Sequence, residues 1–137
     1  EKGYKAWKGD LSTDYSLLEL GLDRFVNLDM ARFPGQAALQ SEKQSGPVKR
    51  MVTLKVDAGE SDAPYMANVW SGDTIVGEVT SGAWGYRIGA SLALAMVRTD
   101  LAADGTDLAV EIYGEKCAAT VLTDGSAWDP KNERIRA

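Results

Sequence analysis

The chain contains no histidine. That absence removes the commonest general base, the Ser-His-Asp and Cys-His arrangements, and the usual zinc and iron ligand sets. Any proton chemistry must use carboxylates, tyrosines, lysines or arginines. Cysteine is almost missing as well. With Cys117 alone, no bridge within the chain can staple the fold, and a reducing, cytoplasmic setting is the expectation. Positive charge is in deficit: 15 Lys and Arg stand against 20 Asp and Glu, a formal net charge of -5. No basic field therefore invites nucleic acid or an anionic lipid surface. No apolar run approaches the roughly 20 residues of a membrane span, and no signal-peptide pattern opens the sequence, so neither membrane nor nucleic acid is expected as a partner. The acids are dispersed without the spacing of a cation-binding loop, so no metal site is expected.

What remains is 137 residues with 45% hydrophobic content, enough to bury the core of one domain, or of one domain with a piece of another attached. The opening, Glu1 to Asp14, carries Tyr4, Ala6 and Trp7 in a polar context, which reads as a segment whose packing partners lie elsewhere. Ser12, Thr13 and Asp14 precede Leu17, Leu18 and Leu20, which predicts a short helix over Ser16 to Leu20, stopped by Gly21. Phe25 to Leu28 reads as a brief strand. Gln36 to Gln44 is rich in helix formers, and Gly46-Pro47 ends that helix.

From there the composition turns to β-branched residues and tight turns. Lys49 to Asp57 alternates, with Val52, Leu54 and Val56 on one side. Met66 to Trp70 and Asp73 to Val79 straddle Ser71-Gly72 as a hairpin. Val79 and Leu92 bound a segment with Gly82, Gly85 and Gly89, which reads as an irregular connection bringing Trp84 and Tyr86 to a surface. Ser91 to Arg98 is apolar on both faces and reads as a central strand. Asp104-Gly105 and Gly114-Glu115 turn the chain into strands over Asp107 to Tyr113 and Cys117 to Leu122. Five or six short antiparallel strands argue for a barrel or a two-sheet sandwich. The polar tail, Thr123 to Ala137, contains Trp128, and a tryptophan there is expected to dock on something.

Four collinear blocks then resemble the C-terminal part of the glycine-cleavage T-protein (aminomethyltransferase) family. They are Glu1-Lys2-Gly3-Tyr4 with Trp7 and Asp10-Leu11, Phe33 to Leu39, Gly77-Glu78-Val79-Thr80-Ser81-Gly82, and Ser91 to Val97. The opening, the Trp84-Gly85-Tyr86-Arg87 stretch and the ending from Trp128-Asp129-Pro130 to Arg136-Ala137 are similar to the flavin-dependent dimethylglycine and sarcosine dehydrogenases in particular. The resemblance implies a mainly β chain, a six-stranded antiparallel Greek-key barrel preceded by a short α-helical segment. Residues 1–47 would end a folate-binding region and residues 48–137 would form the barrel.

The resemblance also implies tetrahydrofolate as cofactor, held in a channel between subdomains where it captures a one-carbon unit as 5,10-methylenetetrahydrofolate. FAD would belong to an N-terminal part of the parent, and the upstream domains would be partners. The family's reacting carboxylate lies in an earlier region, so the chain is expected to be a non-catalytic module that helps close the channel. Tyr4 falls where the family places an aromatic against folate, with Trp7 three positions on. Arg134 or Arg136 would meet the folate glutamate carboxylate. Trp84 and Arg87 would line a subdomain interface. Thr80 and Ser81 are expected to shape a turn through hydroxyl-to-backbone bonds, with no base nearby to make either a nucleophile. The alternative is a barrel used only for packing or protein docking, with Tyr4 and Trp7 as core-like packing residues.

Overall fold

The alternation of Lys49–Val56 creates a strand, β1, that buries Val52, Leu54 and Val56 together. The computed structural model describes residues 1–122 and 126–136. After β1 come β2 (Asn68–Ser71), β3 (Thr74–Gly85), β4 (Ala90–Arg98), β5 (Asp107–Ile112) and β6 (Glu115–Leu122). All neighbours are antiparallel, in the closed order β1-β4-β3-β2-β5-β6. The hairpin-linked β2, β3 and β4 are flanked by β1 beside β4 and β5 beside β2. That is a Greek key, and closure leaves no strand edge open to another chain.

The core is built from residues two apart on each strand: Ala93, Ala95 and Val97 on β4, Leu108, Val110 and Ile112 on β5, Ala119 and Val121 on β6. A small closed barrel has little interior volume, so β4 turns its small face inward. Its large face, Leu92, Leu94 and Met96, points outward, yet Met96 is 0% exposed. The cover is the N-terminal segment. Met96 pairs with Met51 on one side and Glu78 on the other. The Met51 N–H donates to the Glu19 carbonyl at 2.8 Å, and Tyr15 Oη donates to Glu78 at 2.8 Å. Residues 15–19 therefore cross over Met96, and Leu18 and Leu20 are buried with it.

Three local expectations fail. The helix over Ser16 to Leu20 is a single turn. Ser16 and Glu19 do form a reciprocal cap, with Glu19 N–H donating to Ser16 Oγ and Ser16 N–H to the Glu19 carboxylate, each at 3.0 Å. But Gly21, at φ 66°, terminates it at once: Gly21 N–H meets the Leu18 carbonyl and Leu22 N–H the Leu17 carbonyl. Start and stop signals stand too close for a second turn. The strand at Phe25 to Leu28 is absent, and a 3-10 turn spans Asp23–Phe25 instead. The glycine-rich connection is mostly strand: β3 runs on through Gly82 to Gly85, leaving only 86–89 as the turn. The helix α1 (Gln36–Ser45) forms as expected, though it buries no residue. Side-chain bonds hold it: Gln36 and Gln40 donate to the Leu28 carbonyl at 2.8 and 3.2 Å.

Candidate functional site

The register of β3 against β4 shifts between Val79 and Ser81, making Thr80 the extra residue of a bulge. A bulge re-aims side chains, and here two hydroxyls meet one carboxylate. Thr80 Oγ1 donates to Asp10 Oδ1 at 2.6 Å and Ser81 Oγ to the same oxygen at 2.8 Å. The other oxygen, Oδ2, accepts the Ala6 N–H at 2.8 Å. Asp10 is 1% exposed, so it is a buried charge satisfied by three donors. Thr80 also lies 3.2 Å from the Leu94 carbonyl, which partly meets the hydroxyl-to-backbone expectation. The turn that Thr80 and Ser81 were expected to shape is a strand bulge, and their main acceptor is a side chain 70 and 71 residues away.

Asp10 thereby ties down the end of a strap, Glu1 to Asp10, lying over the outer face of β3 and β4. Within it, Asp10 and Leu11 N–H groups both donate to the Ala6 carbonyl, a tight loop that leaves Trp7 68% exposed. Tyr4 is 78% exposed. Between strap and barrel is a cleft of about 260 Å3, with Glu1 to Tyr4 as outer wall and Ser81 to Gly85 and Leu92 to Leu94 as inner wall. Gly82 allows a close approach behind it: a Cβ there would stand 2.2 Å from the Ala63 carbonyl oxygen.

Of the residues singled out in the sequence, the cleft gathers Tyr4, Ser81 and Trp84. Trp7, Arg134 and Arg136 do not line it, and both arginines are exposed on the tail. Arg87 stacks on Trp128, its guanidinium carbon 4.6 Å from the ring centroid, so the tail tryptophan does dock. The start of that tail, residues 123–125, and Ala137 lie outside the described residues. The roles of Asp10 and Lys2 escaped sequence reasoning. An acid followed by Leu has no local mark that tells buried from exposed.

Lys5 and Tyr15 are perturbed by their surroundings. Burial, chiefly, pushes the Lys5 amine below its ordinary pKa; Asp10 pulls it up and Arg24 down. Burial and then the bond to Glu78 push the Tyr15 phenol up to about 12. The unfolded chain gives up that proton near the ordinary value of 10.0. Stabilisation from this contact is therefore complete below pH 10 and is lost as pH rises toward 12. A spectrophotometric titration should show one of the five tyrosines ionising late, and Tyr15→Phe should remove that late component. Among the described residues, no three His, Cys, Asp or Glu side chains gather as metal ligands, and no helix is long and apolar enough to cross a membrane.

The fold is a closed Greek-key barrel with an aromatic-bearing strap laid on its outer face. The sequence profile of the Glycine cleavage T-protein C-terminal barrel domain matches residues 49–128. The chain belongs to that family, as its C-terminal barrel domain. Dimethylglycine dehydrogenase (mitochondrial) from Rattus norvegicus is 34% identical over 125 residues, covering 90% of this chain and 15% of the relative. Aminomethyltransferase from Synechococcus sp. (strain CC9902) is 40% identical over 114 residues, 82% of this chain and 31% of the relative. The crystal structure of glycine cleavage system aminomethyltransferase T from Bartonella henselae superposes with a TM-score of 0.77 at 25% identity, covering 84% of this chain and 33% of that one. The chain thus spans between about one seventh and one third of the length of these relatives.

Proposed function

We propose that this domain closes one side of a tetrahydrofolate site in a longer one-carbon-transfer enzyme of the dimethylglycine dehydrogenase or aminomethyltransferase kind. The observation that carries the reading is Tyr4, a ring left 78% exposed on the rim of a cleft in a chain of this family. The fit to folate is partial in the way a wall would be. The cleft, about 260 Å3, is below the roughly 300–1,000 Å3 that encloses a drug-sized ligand, so the opposite wall must come from other domains of the parent. Residues 1–47 form the edge of that folate region and the barrel supports it. When bound, tetrahydrofolate supplies the acceptor for the one-carbon unit; the residues of this chain bind and orient it.

Tyr4 stacks on a flat ring of the folate, and Trp7 offers a second aromatic face. Arg134 or Arg136 meets the glutamate carboxylate, for which a guanidinium fork is well shaped. Asp10 keeps the strap in place, its two oxygens accepting three hydrogen bonds. FAD finds no comparable fit among the described residues. The Gly82 to Gly89 stretch is strand and turn with no helix after it, so any flavin belongs to the parent's other domains. A cytoplasmic setting goes with the single cysteine, while the dehydrogenase relatives carry "mitochondrial" in their names.

Calorimetric titration of the full-length protein with tetrahydrofolate tests this. Tyr4→Ala is expected to weaken binding about tenfold, on the order of 1.4 kcal/mol, and Tyr4→Phe to leave it nearly unchanged. Unaltered affinity in Tyr4→Ala would take Tyr4 out of the site and leave the barrel as a packing or docking module.

A further inference from the structure

The strap is fixed at two ends and projects its aromatics between them. Asp10 is the inner anchor. The outer anchor is made by the C-terminal tail. Trp128 N–H donates to the Glu1 carbonyl at 3.0 Å. Lys2 Nζ donates to the Asp129 carbonyl and to Asn132 Oδ1, each at 2.6 Å, with Asp129 Oδ2 4.0 Å away. The Trp128 ring faces the Arg87 guanidinium at 4.6 Å and the Lys2 ammonium at 5.7 Å. Glu1 in turn accepts the Arg87 and Ile88 N–H groups, so the turn between β3 and β4 joins the same knot.

Asp129 makes the tail compact enough to serve. At φ 48° it receives N–H bonds from Glu133 (2.9 Å), Arg134 (3.2 Å) and Ile135 (3.1 Å). Removal from water pushes its carboxyl up, but those donors, with Lys2 behind them, outweigh that and hold it below its ordinary value. The strap between the anchors bends at Gly3 and Lys8, both at positive φ.

We propose that Trp128 and Asp129 form a clasp that positions the Tyr4 strap, so that the tail sets the width of the cleft without lining it. Trp128 is the key positioning residue, because it touches Glu1, Lys2 and Arg87 together. Two cations, Arg87 and Lys2, lie within reach of its ring, whose face attracts positive charge. The consequence for ligand affinity rests on the folate reading above; the mechanical claim does not.

The test is hydrogen exchange by mass spectrometry on the full-length protein, paired with tetrahydrofolate titration, for Trp128→Ala and Trp128→Phe. Trp128 lies outside the barrel core, so the alanine variant keeps its fold. Trp128→Ala should speed exchange at the Arg87 and Ile88 N–H groups that Glu1 accepts and along the strap as far as the Ala6 and Lys8 N–H groups, while β1 and β5 stay protected, and should weaken tetrahydrofolate binding about fivefold or more. Both variants keep the backbone donor to Glu1, and Trp128→Phe, which also keeps a ring face for Arg87 and Lys2, should restore both readouts. Unchanged exchange in the strap, or faster exchange spread evenly over the barrel, would overturn the clasp. So would a freed strap with unchanged affinity in a protein where Tyr4→Ala does weaken binding. If Tyr4→Ala leaves affinity intact, the folate reading falls, and the exchange pattern alone decides the clasp.

Discussion

Gly77→Ala is expected to destabilise the barrel by ~3 kcal/mol or more, a fall in Tm of roughly 10 °C. Gly77 sits inside β3, between Val69 of β2 and Val97 of β4. A Cβ at this position would lie 2.1 Å from the Met96 carbonyl oxygen and 2.9 Å from Val97 Cα. Both obstacles are backbone, so no rotamer change relieves them. Either β3 moves away from β4 and gives up ladder bonds, or the clash remains. Gly9→Ala is the control: its Cβ would meet nothing nearer than the Thr80 carbonyl oxygen at 3.9 Å, and its Tm should move by no more than a degree or two, within the small range of an unstrained substitution. Thermal unfolding followed by circular dichroism separates the two, and equal stability of Gly77→Ala and the parent would contradict the strand packing described.

Asp10→Ala is expected to cost a similar ~3 kcal/mol, for a different reason. It takes the acceptor from the Ala6 N–H and the half-buried Ser81 hydroxyl, and leaves the buried Thr80 hydroxyl with only the Leu94 carbonyl at 3.2 Å. It also removes the charge that offsets burial of the Lys5 amine. Asp10→Asn should be milder. With the amide oxygen on the Ala6 N–H, the NH2 faces two hydroxyls that can rotate to accept it, Thr80 turning its O–H to the Leu94 carbonyl, so the loss is mainly that of the charge and of two strong hydrogen bonds. Denaturant unfolding gives the loss of stability. Hydrogen exchange should locate it first in residues 1–11 and at the Thr80 bulge, and an exposed, tolerant Asp10 would show neither effect.

The strands were legible because alternation and turn residues are local signals, and the barrel makes both of them literal. β4 could be read as central from its two apolar faces. That its alanines face inward could not, because interior size is set by closure and not by any one strand. The β3 extension through Gly82 and Gly85 was hidden for a related reason. Those glycines answer to the Ala63 carbonyl and to Glu1, Ala90 and Leu92 packing beside them, contacts that composition reports only as flexibility. At Ser16 to Leu20 both helix signals were present and both acted; their spacing decided the outcome. Tyr4 was singled out as a folate contact only through family resemblance, and the structure places it on the rim of the cleft. Asp10, Lys2 and Trp128 gain their roles from partners 70, 127 and 127 residues distant, across separations that no local pattern encodes.

The proposed role of the strap depends on where folate sits relative to it. A structure of the full-length protein with tetrahydrofolate bound tests that directly. The expected result is a pterin or aminobenzoate ring stacked on Tyr4, centroids ~4.5–7 Å apart, with Leu92 to Leu94 behind the strap. Folate bound away from the strap, with the Tyr4 ring packed against an upstream domain instead, would contradict it.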